Sequence, residues 1–221
     1  MERALIIGAS GGIGTAIAAA LTARGVQVTA LSRSRDGLDV TDDSAVRAHL
    51  AALEGSYDLI LVATGALEID GAEPEKSLRA LEPKALMDQF ALNAMGPALV
   101  LKHAAHLLPR DRRAVFAALS ARVGSIGDNR LGGWYGYRAA KAALNQLVRC
   151  AAIELARTHK QLSVVALHPG TVQTDFTRKY LGRHPAVPPA EAAENLLRVI
   201  DGLTPADTGR FFDWAGKEVA W

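Results

Sequence analysis

Short runs of consecutive apolar residues alternate along the chain with longer segments in which apolar residues recur every three or four positions. Continuous runs are typical of strands buried on both faces, and the wider spacing is typical of amphipathic helices. The runs predict strands at residues 4–7, 26–31, 58–64, 114–119, 162–167 and 211–214. The spaced segments predict helices at 13–24, 41–53, 83–108, 137–158 and 190–200, with Gly96-Pro97 interrupting the third.

This alternation of strand and helix predicts the fold class. Right-handed crossovers between successive strands produce a parallel sheet with helices on both faces. We therefore expect an α/β, Rossmann-type, doubly wound sheet of about seven strands. No repeat or linker divides the 221 residues, so the prediction is a single domain over 1–221. Ligands of such sheets bind at the carboxyl ends of the strands.

Charge and cysteine content exclude several classes of function. The formal net charge of +2 comes without a basic run, which argues against binding nucleic acid. No segment has the roughly 18 to 20 apolar residues that a membrane span requires. Cys150 is the single cysteine, so an internal disulfide is excluded and a reducing compartment fits. With no leader pattern before the first strand, a cytoplasmic protein is expected.

The first predicted strand ends in a glycine-rich turn, Gly8-Ala9-Ser10-Gly11-Gly12-Ile13-Gly14, and a predicted helix follows. Glycine allows the φ values and the close backbone approach that a phosphate cradle needs. The N–H groups and the dipole of the following helix favour an anion at the same point. The turn therefore predicts a site for a dinucleotide pyrophosphate, bound by Gly8, Ser10, Gly12, Ile13 and Gly14.

A second pattern is the pair Tyr137 and Lys141, which lie four residues apart on a predicted helix and so share one face. The glycine spacing G-x-x-x-G-x-G followed by Y-x-x-x-K resembles the short-chain dehydrogenase/reductase family along the full length of the chain. The stretch 124–135, together with Trp214 near the end, is similar to the small C-factor or sniffer-type carbonyl reductase branch.

The resemblance implies hydride transfer between nicotinamide and a small carbonyl or alcohol substrate, with Tyr137 as proton donor or acceptor. A free phenol has a pKa near 10, and a lysine ammonium beside it favours the phenolate. The family also places this lysine on the nicotinamide ribose, a role that falls here to Lys141. Asn93 matches the family's helix-kinking asparagine, which takes part in a water relay and lies near the cofactor.

Other positions match the family's cofactor contacts. Asp39-Val40 matches the pair beside adenine. Where the family has N-N-A-G after the fourth strand, this chain has Ala63-Thr64-Gly65, so the cofactor contact there is reduced to the backbone and Thr64. The segment expected at the nicotinamide end comprises Pro169, Gly170, Thr171, Val172 and Thr174.

Ser32-Arg33 at the end of the second strand decides the choice of cofactor. Enzymes that use NAD place an acid there, whereas an arginine accommodates the 2′-phosphate of NADP. No acid precedes Asp36, and Arg33 and Arg35 are both near, so NADP(H) is expected. The alternative is that both arginines are solvated loop charges.

The serine that usually orients the substrate is displaced in this chain. The family places it three residues before the glycine that follows the strand, and that position is Ala121. Ser120 and Ser125 are the substitutes, and the sequence does not separate them. Strand alternation aims Ser120 away from the site unless the strand bulges or ends early. Ser125 lies twelve residues before Tyr137, close to the family's usual interval.

Several alternatives stay open at this point. Intact Tyr137 and Lys141 favour an enzyme, while the displaced serine allows a dinucleotide-binding regulatory or signalling protein with little turnover. Residues 176–189 form either a mobile lid or a surface loop.

His103 and His106 lack metal-ligand spacing, so no metal is expected. The predicted helix 137–158 has an alanine-rich outer surface (Ala142, Ala143, Ala152 and Ala156). Because members of the family commonly associate through this helix, a homodimer or homotetramer is expected.

Overall fold

Six parallel strands form one sheet in the computed structural model, which describes residues 1–181 and 185–221. The spatial order is β2-β1-β3-β4-β5-β6, and the strands pair in parallel throughout. They are β1 (Arg3–Ile7), β2 (Gln27–Leu31), β3 (Leu59–Val62), β4 (Ala114–Leu119), β5 (Leu162–His168) and β6 (Phe211–Asp213). Helices cover both faces, so the Rossmann-type α/β fold is confirmed.

The sheet has six strands in the described chain, where about seven were expected. The segment after β2 is too short for another strand, and it holds only a one-turn helix, α2 (Arg33–Asp36). From there the chain crosses β1 and enters β3 on its other side. The strand order therefore reverses between β1 and β3, which is where ligands bind in open α/β sheets.

The longer helices agree with the prediction to within a few residues. They are α1 (Gly12–Ala23), α3 (Asp43–Ala51), α4 (Pro83–Phe90), α5 (Gly96–Ala104), α6 (Tyr135–Leu155) and α7 (Pro189–Gly202). Helix α3 begins two residues later than predicted, because the Asp42 carboxylate accepts hydrogen bonds from the N–H groups of Ser44 and Ala45. No helix in the described ranges is long and apolar enough to cross a membrane.

The predicted interruption of the long helix at Gly96-Pro97 is wrong in position. These two residues begin α5, and the irregular part is the π-helical turn Ala91–Met95 before it. Pro97 has no N–H to give to the carbonyl of Asn93 four residues earlier, so the regular helical pattern fails upstream of the proline. The distortion falls on Asn93 itself.

Strand alternation divides the apolar core into two layers. One layer packs β1 residues such as Leu5 and Ile7 against α3, α5 and α6. The other packs Ala4 and Ile6 against α1 and α7. Each fully buried large apolar side chain stabilises the fold by about 1.5–3 kcal/mol. The two layers hold the carboxyl ends of all the strands at one edge of the sheet, where the candidate site lies.

Candidate active site

The glycine-rich turn leaves the end of β1 in a conformation that needs glycine. Gly8 has φ +88°, and its N–H donates to the Leu31 carbonyl at 2.8 Å. A Cβ on Gly14 would lie 2.3 Å from the Gly8 carbonyl oxygen, so α1 can start this close to β1 only without a side chain there. Gly11 precedes α1 with no side-chain cap. The first N–H groups of α1 therefore face the strand ends, as an anion site requires.

The segment after β5 closes over this turn. A Cβ on Gly12 would lie 2.6 Å from Cγ2 of Thr174, so the threonine rests directly against the start of α1. Gly170 has φ +77° and packs against the Trp214 indole, where a Cβ would meet Cδ1 at 2.9 Å. The structure thus brings the predicted nicotinamide segment and the predicted phosphate turn together.

The end of β2 carries charges of both signs. Arg33 and Arg35 are exposed, as the NADP prediction requires. The Asp36 carboxylate folds back and accepts the Ser32 N–H at 2.7 Å, and Ser32 in turn caps α2 through the Arg35 N–H. An acid therefore reaches the end of this strand, although the sequence places it four residues later. The linear pattern did not reveal it.

The predicted adenine pair is held by local contacts. Asp39 accepts hydrogen bonds from the hydroxyl and the N–H of Thr41 at 2.7 and 2.8 Å, and these bonds hold the pKa of its carboxyl below the usual value. Val40 is buried against Gly96, where a Cβ would lie 2.8 Å from the valine Cγ2. The small residue at the start of α5 therefore makes room for the valine.

Asn93 is fully buried and binds the loop that follows β3. Its Nδ2 donates to the Ala66 carbonyl at 2.9 Å and to Gln89 at 2.7 Å, and its Oδ1 accepts the Ala66 N–H. Gly65 has φ +150°, and a Cβ there would lie 2.8 Å from Asn93 Oδ1. Beside them, the buried Thr64 hydroxyl has no protein partner among the described residues. Such a group is expected to bind a ligand or water.

Tyr137 and Lys141 lie together below the ends of β3 and β4. They are 6% and 3% exposed, and Lys141 Nζ lies 5.7 Å from the centre of the Tyr137 ring. The ammonium donates to the Leu119 carbonyl at 2.9 Å. Burial raises the pKa of Tyr137 above the ordinary phenol value and lowers the pKa of Lys141 to about 7. We expected the lysine to lower the tyrosine pKa, but in this structure burial dominates both groups.

The hydroxyls of the two candidate serines each make a hydrogen bond within the protein. The Ser120 hydroxyl donates to Asn145 Oδ1 at 2.6 Å, on the same helix as Tyr137 and Lys141. The Ser125 hydroxyl accepts the Asp128 N–H at 3.1 Å and is buried within its own loop. Ala121, between β4 and the following 3₁₀ turn, is extended and half-buried. No described contact joins either serine to Tyr137.

Two aromatic side chains from segments that the sequence analysis noted lie beside Tyr137. The Phe176 ring centre is 6.1 Å from that of Tyr137, and the Trp134 ring centre is 6.4 Å away on an edge-to-face contact. Phe176 belongs to the predicted lid or loop 176–189, of which residues 182–184 lie outside the described chain. Within the described part, Lys179 pairs with Glu68 and Glu73 at 2.7 and 3.3 Å. This ion pair ties the segment to the loop after β3.

A buried carboxylate also supports the start of α6. Glu75 Oε2 accepts the Gly136 N–H at 3.1 Å, and the Glu75 carbonyl accepts the Trp134 N–H at 2.6 Å. Trp134 has φ +52°, a conformation that a bulky residue adopts only when its surroundings impose it. No group of metal-binding side chains occurs in the ranges that the structure describes. The site can therefore bind an anionic dinucleotide and present one phenol and one ammonium to a substrate.

Comparison with known proteins agrees with this geometry. A family model described as enoyl-(acyl carrier protein) reductase matches residues 8–211. The 1-hydroxy-2-glutathionyl-2-methyl-3-butene dehydrogenase of Rhodococcus sp. (strain AD45) is 32% identical over 236 residues, covering 100% of both chains. The C-signal protein of Myxococcus xanthus is 41% identical over 135 residues, which are 60% of this chain and 76% of that one.

Among solved structures, a chain from Burkholderia multivorans described as a short-chain dehydrogenase/reductase with bound NADP is similar over the whole fold. Its TM-score is 0.81 at 27% sequence identity, and the match covers 100% of this chain and 99% of that one.

Proposed function

Because the chain belongs to the short-chain dehydrogenase/reductase family, we propose that it transfers a hydride between NADP(H) and a small carbonyl or alcohol substrate. Tyr137 donates or accepts the proton, and Lys141 assists it. The observation that carries the proposal is the joint burial of these two side chains at the end of the sheet where the glycine-rich turn lies. The Tyr137 phenol and the Lys141 ammonium form no ion pair with each other in the described structure. Both groups are therefore available for proton transfer.

The residues present fit a dinucleotide. Gly8 gives the turn its shape, since its own N–H already donates to the Leu31 carbonyl, and Ser10, Gly12, Ile13 and Gly14 would hold the pyrophosphate at the N-terminus of α1. The unpartnered Thr64 hydroxyl offers one further contact. Arg33, together with the NADP bound in the Burkholderia relative, supports a 2′-phosphate. When bound, the cofactor supplies or accepts the hydride.

The remaining chemistry belongs to this chain. In the reducing direction, the Tyr137 hydroxyl gives its proton to the oxygen of the substrate, and burial keeps that hydroxyl protonated at neutral pH. The charged form of Lys141 stabilises the phenolate that remains. The side chain of Asn93 is held by Gln89 and Ala66. Its role in a proton relay therefore falls to its main-chain carbonyl, which Pro97 cannot bind.

The surroundings of Tyr137 also suggest the kind of substrate. Trp134 and Phe176 are both partly exposed, and each lies beside the phenol ring. Aromatic faces favour apolar and aromatic ligands. We therefore infer a carbonyl compound with an apolar or aromatic substituent.

A screen of NADPH consumption against aldehydes, ketones and quinones tests the function, with Tyr137→Phe as the key variant. This change should abolish turnover and leave the NADPH dissociation constant within about twofold, since only proton transfer is lost. Tyr135→Phe, on the same helix turn, is the matched control and should keep full rate. A Tyr137→Phe protein with more than a tenth of the wild-type rate would place proton donation elsewhere.

A second candidate is a regulatory protein that binds the dinucleotide and turns over little. It is favoured by the 41% identity to the C-signal protein and by the engagement of both serine hydroxyls. Tight NADPH binding in calorimetry, without consumption on any compound of the screen, would support this reading over the enzyme.

We further infer that the protein is a cytoplasmic homodimer or homotetramer. The surface of α6 differs from the alanine face expected from the sequence, because Ala152 is buried in the core. Leu147 and Ile153 are the large apolar side chains that α6 exposes. They support association through this helix.

A further inference from the structure

Asn145 lies one helical turn after Lys141 on the buried face of α6, and it is 3% exposed. Its Oδ1 accepts the hydrogen bond of 2.6 Å from the Ser120 hydroxyl. Its Nδ2 donates to the Gly124 carbonyl at 3.5 Å. One carboxamide therefore reaches both ends of the segment 120–124, which leaves the sheet after β4.

The same segment is in contact with Lys141. A Cβ on Gly124 would lie 2.7 Å from the Cβ of Lys141, so the 3₁₀ turn rests on the lysine itself. Leu119, directly before Ser120, supplies the carbonyl that accepts the ammonium at 2.9 Å. The partners of Asn145 and the partner of Lys141 therefore belong to one short stretch of backbone.

Packing alone does not explain why the buried side chain at position 145 is an amide. Leu144 and Val148 on the same helix are buried in the apolar core, where a leucine in place of Asn145 would avoid the desolvation of a polar group. The carboxamide instead makes bonds that depend on its orientation, and a bond of this kind fixes one arrangement of strand end and helix.

We propose that Asn145 is a positioning residue, which holds the end of β4 against α6 so that the Leu119 carbonyl keeps its hydrogen bond to Lys141. Ser120 acts through Asn145 and does not touch the substrate. The kinetic consequence rests on the proposed function, whereas the contacts themselves belong to the free protein.

This arrangement affects the charge of Lys141. Burial lowers the pKa of the lysine to about 7, and a carbonyl acceptor opposes that effect by favouring the ammonium. The other groups that face Lys141 from neighbouring elements are the Tyr137 phenol, the Asn93 amide and the main chain of Gly65, all uncharged at neutral pH. The turn after β4 carries Arg122 and Asp128, which form an ion pair with each other at 2.6 Å.

The test is a pH titration of Lys141, followed by NMR of its side-chain ε-carbon in the free, full-length protein. Asn145→Leu should lower the titration midpoint by about one pH unit, because the carbonyl no longer stabilises the charged form. Ser120→Ala should lower it in the same direction by less, and the double variant should match Asn145→Leu alone. Ser163→Ala is the matched control, since it removes a buried hydroxyl bond of 2.7 Å to the Thr204 carbonyl, and its midpoint should not move.

An unchanged midpoint in folded Asn145→Leu would overturn the proposal, and so would an equal shift in Ser163→Ala, which would indicate general loosening. Should Asn145→Leu fail to fold, an unchanged midpoint in Ser120→Ala has the same meaning. In NADPH-dependent reduction, Asn145→Leu should lower kcat about tenfold at pH 8 with KM unchanged, and the alkaline limb should move to lower pH. The expected midpoint shift in a protein that reduces no substrate would support the positioning role and contradict the proposed function.

Discussion

At the scale of single residues, burial controls the protonation state of both Tyr137 and Lys141. Burial favours the neutral form of each, so the phenol stays protonated and the pKa of the ammonium falls to about 7. Below that pH the lysine is charged and can stabilise a phenolate, and above it this support is lost. We therefore expect reduction to be favoured on the acidic side of pH 7 and to weaken as Lys141 loses its proton.

Ala121 gives a prediction of gained activity. The Ser120 hydroxyl donates to Asn145 and the Ser125 hydroxyl accepts from Asp128, so we expect neither to supply the hydroxyl that orients a substrate. Ala121→Ser should restore that hydroxyl and raise kcat for carbonyl reduction by about ten- to a hundredfold. Steady-state kinetics on a substrate from the screen measure the change. Ser125→Ala is the control and should keep wild-type kcat; a large loss there would make Ser125 the orienting residue.

The mixed charges at the end of β2 give a prediction about cofactor choice. Arg33→Ala should weaken NADPH binding by about 1.5–3 kcal/mol and leave NADH binding nearly unchanged, since only NADPH carries the 2′-phosphate. Asp36→Asn should strengthen NADPH binding by removing a like charge. Calorimetry with both cofactors measures each constant. Equal affinity of the wild-type protein for NADPH and NADH would contradict the assignment of Arg33.

Which residues belong to the candidate site was easier to predict from the sequence than which hydrogen bonds they make. Tyr137, Lys141 and the glycines follow from spacing, because a helix turn and a strand-to-helix turn have fixed geometries. The bond from Asp36 to Ser32 and the role of Asn145 depend on how loops fold and on a strand end meeting a helix. No periodicity encodes these contacts.

At the scale of elements, the start of α6 shows how a distant residue can set a helix boundary. The sequence predicted a start at Tyr137, yet the helix begins at Tyr135. The residue before it, Trp134, is not one of the side chains that usually cap helices. The cap comes instead from Glu75, 61 positions before Gly136. By contrast, β1, β3, β4 and β5 were predicted well because each is an almost continuous run of buried residues.

The segment that follows β5 gives a prediction at this scale. Lys179→Ala should release the segment from Glu68 and Glu73 and raise KM severalfold with kcat unchanged, because Phe176 no longer stays against Tyr137. Phe176→Ala should raise KM for aromatic substrates in the same way. Arg178→Ala, which breaks only a local exposed pair with Asp175, is the control. If added salt leaves the wild-type KM constant while Lys179→Ala raises it, the ion pair is not the cause.

At the scale of the whole molecule, the outer surface of α6 predicts assembly. Ile153 is 52% exposed and Leu147 is 41% exposed on this helix. Ile153→Glu should convert the proposed dimer or tetramer to a smaller species, because a charge at the centre of an apolar contact is costly. Sedimentation velocity measures the change. Leu78→Glu, at an exposed apolar residue outside α6, should not alter it; an unchanged size for Ile153→Glu would exclude this helix as the interface.

The position of β2 at the margin of the sheet has a consequence for handling the protein. One side of this strand pairs with β1, and its other side has no neighbouring strand in the described chain. Proteins commonly protect such margins with lysine or proline against cross-β aggregation. β2 has neither and is only five residues long, so its shortness is the protection it offers. We expect β2 to offer a template for cross-β pairing when the protein is heated or concentrated, and lengthening it would increase that hazard.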